Sequence, residues 1–175
     1  MKSSPLNNYF KLAGNLIAVA AIALVSMTGQ AEEPAAKASE TSPAITLDVY
    51  KDPACGCCRG WVKHMEDAGF AMAVQPAEPL DGVKKRFGIE PGYQSCHTAV
   101  SAEGYVFEGH IPARVVSRFL LEAPENAVGL AVPGMPVGSP GMEMGDRFRP
   151  YDIYQINRDG SSQVYTRITK AVEQY

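Results

Sequence analysis

Residues Ile45 to Gly69 read ITLDVYKDPACGCCRGWVKHMEDAG, and their period changes part-way along. Ile45, Leu47, Val49 and Tyr50 fall in a short run bounded by Pro43 and Pro53, which predicts a strand. From Cys58 to Ala68 the apolar Trp61, Val62 and Met65 recur at helical spacing, and Gly69 is a natural stop. Three cysteines, Cys55, Cys57 and Cys58, sit at the junction, so the chemistry of the chain is placed where a strand gives way to a helix.

Outward from this junction the pattern continues. Ala71 to Val74 predicts a second strand, and Leu80, Val83 and Phe87 a second short helix closed by Gly88. Thr98–Ser101 and Tyr105–Glu108 flank the turn Ala102-Glu103-Gly104. Pro112 suits the first turn of a helix through Val115, Val116, Phe119, Leu120 and Leu121. Leu130 to Gly145, with its many glycines and prolines, reads as a long loop. Tyr151–Asn157 and Gln163–Ile168 then surround Arg158-Asp159-Gly160-Ser161, a hairpin by its turn chemistry. The expectation is an α/β domain over 44–175, thioredoxin-like in its β-α-β-α-β-β-α order, with an added C-terminal β-hairpin.

The N-terminus is not counted as fold. Lys2 and Lys11 precede the uncharged run Leu16–Val25, and Gly29-Gln30-Ala31 supplies small residues before a cut after Ala31. That predicts a secretory signal peptide over 1–31 and an exported chain. The apolar run is shorter than the roughly 20 residues that span a bilayer, so no membrane anchor is expected after cleavage. Residues 32–43 (EEPAAKASETSP) hold no large apolar side chain and read as a flexible linker.

The 175 residues are 46% apolar and 20% charged with net charge −3, a composition that excludes wholesale disorder. Lys84-Lys85-Arg86 is the one short basic run and reads as a solvated helix face, so no nucleic-acid partner is expected. No Ser-His-Asp set, phosphate loop or paired-carboxylate signature points to a hydrolase or nucleotide enzyme.

The fourth cysteine is Cys96. Structural disulfides are the bland reading of four cysteines in an exported chain. Against it, Cys57 and Cys58 are adjacent, and a Cys55–Cys58 bridge closes too small a loop to stabilise much. The sharper reading is a set of thiolates at a helix N-terminus, where orphan amides and the helix dipole favour the anion. Several such charges together call for a soft cation. In a thioredoxin-like topology the third strand begins opposite that helix start, which makes Cys96 the fourth ligand. Zinc accepts four cysteines as well, so the residues alone do not select copper.

Other donors are secondary. His97 adjoins Cys96, but strand alternation turns neighbours to opposite faces, so joint ligation requires irregular backbone. Its other role is to orient the ligands. His110 reads as a hydrogen-bonded histidine near a turn, with metal binding as its alternative, and His64 as a surface residue. Met135, Met142 and Met144 place thioethers in the long loop, either for a soft metal or for packing over a core edge. Met65 and Met72 read as core. Trp61 either shields the cysteine site or simply fills the core.

Cys55-Gly-Cys57-Cys58 with Trp61, Ser95-Cys96-His97-Thr98, Gly109-His110-Ile111-Pro112-Ala113 and Val132-Pro-Gly-Met135-Pro-Val-Gly-Ser-Pro-Gly-Met142-Glu143 together resemble the CopG-type family of periplasmic metal-binding proteins. The resemblance spans about residues 44–168. It implies a thioredoxin-like fold and copper bound as Cu(I), including a multinuclear cluster, on Cys55, Cys57, Cys58 and Cys96. Silver as a second metal, interconversion of Cu(I) and Cu(II), and work beside a copper/silver efflux system are further implications. The competing class is a thiol–disulfide oxidoreductase using Cys55 and Cys58, with Cys96 as a resolving thiol.

Overall fold

The change of period at Cys55 becomes a change of element. A computed structural model of the protein describes residues 44–122 and 124–175. The segments read as signal peptide (1–31) and linker (32–43) lie outside the described residues. Strand β1 (Thr46–Lys51) leads through a tight turn into helix α1 (Gly56–Asp67), then come β2 (Ala71–Val74) and α2 (Leu80–Arg86). After a 3-10 turn at Pro91–Tyr93 follow β3 (His97–Ser101), β4 (Val106–Glu108) and α3 (Ala113–Glu122). Strands β5 (Ala127–Ala131), β6 (Tyr151–Asn157) and β7 (Ser162–Ile168) and a 3-10 turn at Ala171–Gln174 end the chain. The β-α-β-α-β-β-α order and the terminal hairpin are as expected.

The strands form one sheet in the order β2-β1-β3-β4-β5-β6-β7. The α1 connection makes β1 and β2 parallel, the α3 connection does the same for β4 and β5, and the remaining pairs are antiparallel. Helices lie on both faces. Leu47, Val49, Ala99 and Phe107 share one buried cluster with Trp61, Val62 and Met65 of α1 and with Val115, Val116 and Phe119 of α3. Strand alternation turns Tyr50, Thr98 and Glu108 the other way, where Tyr50 meets Phe87 and Thr98 and Glu108 meet Lys84. With both faces covered, every residue of β3 and β4 is buried. Each large apolar side chain that α1 buries is worth about 1.5–3 kcal/mol, so the cysteine-bearing turn rests on a firmly anchored helix.

Two expectations are corrected here. The loop expected from Leu130 begins later, because Ala127–Ala131 forms β5. This strand is mostly buried and parallel to β4, so it shows no alternation, and Gly129 brings it unusually close to Val106. Nor is the basic run wholly solvated. Lys85 and Arg86 are exposed, but Lys84 is buried and its ammonium lies 2.5 Å from Glu108 Oε1. Leu80, Val83, Lys84 and Phe87 stand at i, i+3, i+4 and i+7, which puts Lys84 on the apolar face.

Candidate metal centre

Cys55 is the N-cap of α1, with extended backbone, and its sulfur accepts from the Cys58 amide at 3.3 Å. The helix starts at Gly56, two residues earlier than the apolar period suggests, so Cys57 and Cys58 lie in its first turn. Cys55 Sγ is 3.4 Å from Cys57 Sγ, and Cys58 Sγ is 3.6 Å from the Cys96 carbonyl oxygen. The sulfurs of Cys55, Cys57, Cys58 and Cys96 all lie within 4.8 Å of one another. Cys58 is fully buried and the other three are half-buried.

Cys55 and Cys58 are joined as a disulfide, and Cys57 and Cys96 are free thiols. The sequence reading weighed against structural disulfides, yet this bridge forms because the helix turn itself brings the two sulfurs together. A bridge over so short a span constrains the unfolded chain little.

Cys96 also belongs to a second donor group. Its sulfur is 3.0 Å from His110 Nε2 and 3.4 Å from His97 Nδ1, and one ring nitrogen from each histidine joins the sulfur within 4.8 Å. Strand alternation does not separate Cys96 from His97, because β3 begins only at His97. His110 Nδ1 lies 2.8 Å from the Pro140 carbonyl oxygen. A carbonyl only accepts, so Nδ1 carries the proton and the Nε2 lone pair faces Cys96. His97 Nε2 is buried with no hydrogen-bond partner, and its ring packs at a tilt against Trp61 with centroids 4.3 Å apart. Trp61 therefore fills the core and walls the site at once, its indole N–H donating to the Ile111 carbonyl at 2.8 Å.

Burial, and after it the charge of Cys57, push the Cys96 thiol up to about 12. Burial first, then His110, hold His97 well below the usual imidazole range, and burial lowers His110 despite the opposing Pro140 carbonyl. Without a cation the site thus favours neutral thiol and imidazole. A bound cation favours the thiolate and releases thiol protons, while keeping the imidazoles neutral.

The loop from Pro133 to Gly145 is seated against this site by close backbone contact. A Cβ on Gly141 would lie 2.5 Å from both the Cys57 carbonyl oxygen and the Trp61 nitrogen, and one on Gly60 would lie 2.9 Å from Gly141 Cα. Gly138 to Pro140 are buried, deeper than a loop of this composition suggests. Met135 is half exposed and follows Gly134, whose carbonyl accepts from the Ser95 hydroxyl. Met142 is half-buried and follows Gly141, while Met144 is exposed, its sulfur 3.4 Å from Arg147 Nη2. Met65 is fully buried and Met72 packs on the core. Sequence reading missed the Gly60–Gly141 contact and the Pro140 carbonyl. The dense glycine of the loop was the available signal.

His64 is no free surface residue. It is half-buried, and its Nε2 accepts from the Ala113 amide at 3.0 Å, at the start of α3. Burial lowers its pKa from 6.5, the same direction as His97 and His110. The unfolded chain therefore binds these protons before the folded one, and stability present above pH 6.5 is lost as pH falls below it. The Tm of the reduced, metal-free protein is expected to drop between about pH 7.5 and about pH 5.5, and His64→Gln to flatten part of that drop. A Tm that holds or rises on acidification contradicts this.

A family described as "Protein of unknown function, DUF411" matches residues 93–142, which contain Cys96, His97, His110 and most of the loop. Two solved structures of a copper resistance protein, CopG, in its forms 2 and 1, are 41% and 42% identical to the chain. Each comparison covers 71% of this chain and 98% of the other, with TM-scores of 0.67 and 0.66. The chain belongs to the CopG copper resistance family. No curated protein matches it. For a CopG-family chain, the donor set of four sulfurs and two imidazole nitrogens is soft and sulfur-rich, with Cys96 common to both groups. Among the described residues no helix is long and apolar enough to cross a membrane.

Proposed function

We propose that the protein binds copper in the periplasm as Cu(I), on the thiolates of Cys55, Cys57, Cys58 and Cys96, once the Cys55–Cys58 pair is reduced. The convergence of four sulfurs within 4.8 Å carries this reading, supported by membership of a copper resistance family. Thiolate sulfur suits a soft monovalent d¹⁰ ion, and sulfurs this close bridge several ions at once. His110 Nε2 and His97 Nδ1 extend the set on the Cys96 side, and silver(I) shares the same chemistry. Met135 and Met142 serve as outer thioether contacts on the flanking loop. Copper is cargo, exchanged with periplasmic components of an efflux system after the leader (1–31) is removed.

The dithiol couple also accounts for a change of oxidation state. Two Cu(II) ions accept one electron each from the Cys55 and Cys58 thiols, giving two Cu(I), the disulfide and two protons. The two sulfurs stand close enough to bond to each other, which supports that step.

Anaerobic titration of the fully reduced protein with Cu(I) tests the binding. More than one ion per chain with loss of all four free thiols is expected. No uptake alongside metal-free disulfide reductase turnover favours the thiol–disulfide oxidoreductase instead.

A further inference from the structure

Cys96 lies outside any strand, since β3 starts at His97, so no ladder hydrogen bond holds it against the cysteine turn. Its neighbour Ser95 is instead held from three sides. The Ser95 amide donates to Glu108 Oε1 at 2.6 Å, and its hydroxyl donates to the Gly134 carbonyl. On the third side is Gly109, at φ +80°, where a Cβ would come within 2.7 Å of the Ser95 side chain.

Glu108 is fully buried on the sheet face opposite His97 and takes no part in either donor group. Its Oε1 also accepts from Lys84 at 2.5 Å, and its Oε2 accepts from the Thr98 hydroxyl at 2.6 Å. Burying an ion pair brings little net stability, and an apolar pair of similar size commonly serves folding as well or better. What apolar side chains cannot do is accept from a main-chain N–H that no strand serves.

We infer that Glu108 is a positioning residue for Cys96: its carboxylate, with Lys84 as counter-charge, pins the Ser95 amide and so holds the Cys96 sulfur against Cys55, Cys57 and Cys58. This rests on the copper-binding reading for its purpose, though not for its test.

The test compares two double variants. Lys84→Met with Glu108→Gln removes both charges but keeps an oxygen that accepts from Ser95. Lys84→Met with Glu108→Leu removes the charges and the acceptor. In the reduced, metal-free protein, iodoacetamide labelling of Cys96 relative to Cys57 is followed by peptide mass mapping. The leucine variant is expected to label Cys96 about tenfold faster than wild type, and the glutamine variant within about twofold of it. Equal labelling in the two variants, or wild-type labelling in the leucine variant, overturns the inference.

Hydrogen exchange in the wild-type protein gives a readout that does not depend on how the variants fold. The Ser95 amide should be protected to the level of β3 amides, although it lies outside the strand. Rapid exchange there overturns the inference as well. Both readouts omit copper, so failure of wild-type Cu(I) uptake removes the proposed function while leaving the positioning of Cys96 to be judged by labelling and exchange.

Discussion

Cys96→Ser is expected to weaken Cu(I) binding about a hundredfold or more and to lower the number of ions held per chain. Loss of groups that merely orient a ligand typically costs 10- to 100-fold, and here the proposed ligand itself is replaced by hard oxygen, which suits Cu(I) poorly. The loss is amplified because Cys96 belongs to both donor groups, so one substitution removes the sulfur shared by the cysteine turn and by His97 and His110. Folding should be spared. Cys96 is half-buried and outside β3, and serine is smaller than cysteine, so Tm is expected to stay within a few degrees of wild type. Competition against a Cu(I) chelator under anaerobic conditions measures the effect. Unchanged affinity would remove the premise that position 96 is a ligand. Disulfide exchange through Cys55 and Cys58 alone would survive the substitution, whereas exchange resolved by Cys96 would not.

Gly141→Ala should cost about 2–5 kcal/mol of stability. Gly141 adopts φ +83°, a conformation that costs a residue with a side chain about 1–2 kcal/mol. Its new Cβ would also sit 2.5 Å from backbone atoms of Cys57 and Trp61, which belong to an anchored helix and cannot move aside cheaply. The loop must lift instead, and with it the Pro140 carbonyl that fixes the His110 tautomer. Urea denaturation should show a lower midpoint at unchanged slope. Nitrogen-15 NMR of His110 should show the two neutral tautomers mixing, where wild type holds one. A stability change under about 0.5 kcal/mol would mean that the loop is not seated on α1.

Much of the site could be read from the chain because its parts are local. Cys55, Cys57 and Cys58 are within four residues, so any helix that starts among them gathers their sulfurs. Turn chemistry located both hairpins, and Gly104 and Gly160 occupy left-handed conformations in those turns. Lys84 carries a sequence signal for burial, its place at i+4 from Leu80, although its charge predicts a solvated face. His64 was misread because its partner, the Ala113 amide, is 49 positions away. Strand β5 was passed over because a short buried parallel strand lacks alternation, and a glycine inside it looks like loop.

Local preference thus determined the strand-turn-helix carrying three cysteines, the two hairpins and the α/β class. Such features depend on the backbone and side-chain preferences of a few consecutive residues, which a linear pattern records. Only the tertiary structure decided that His97 and His110 share the Cys96 sulfur, that the glycine loop seats on α1, and that a buried carboxylate reaches Ser95. Those distances follow from sheet register and from backbone approaches such as Gly60 to Gly141, which exist only once separate elements have packed together.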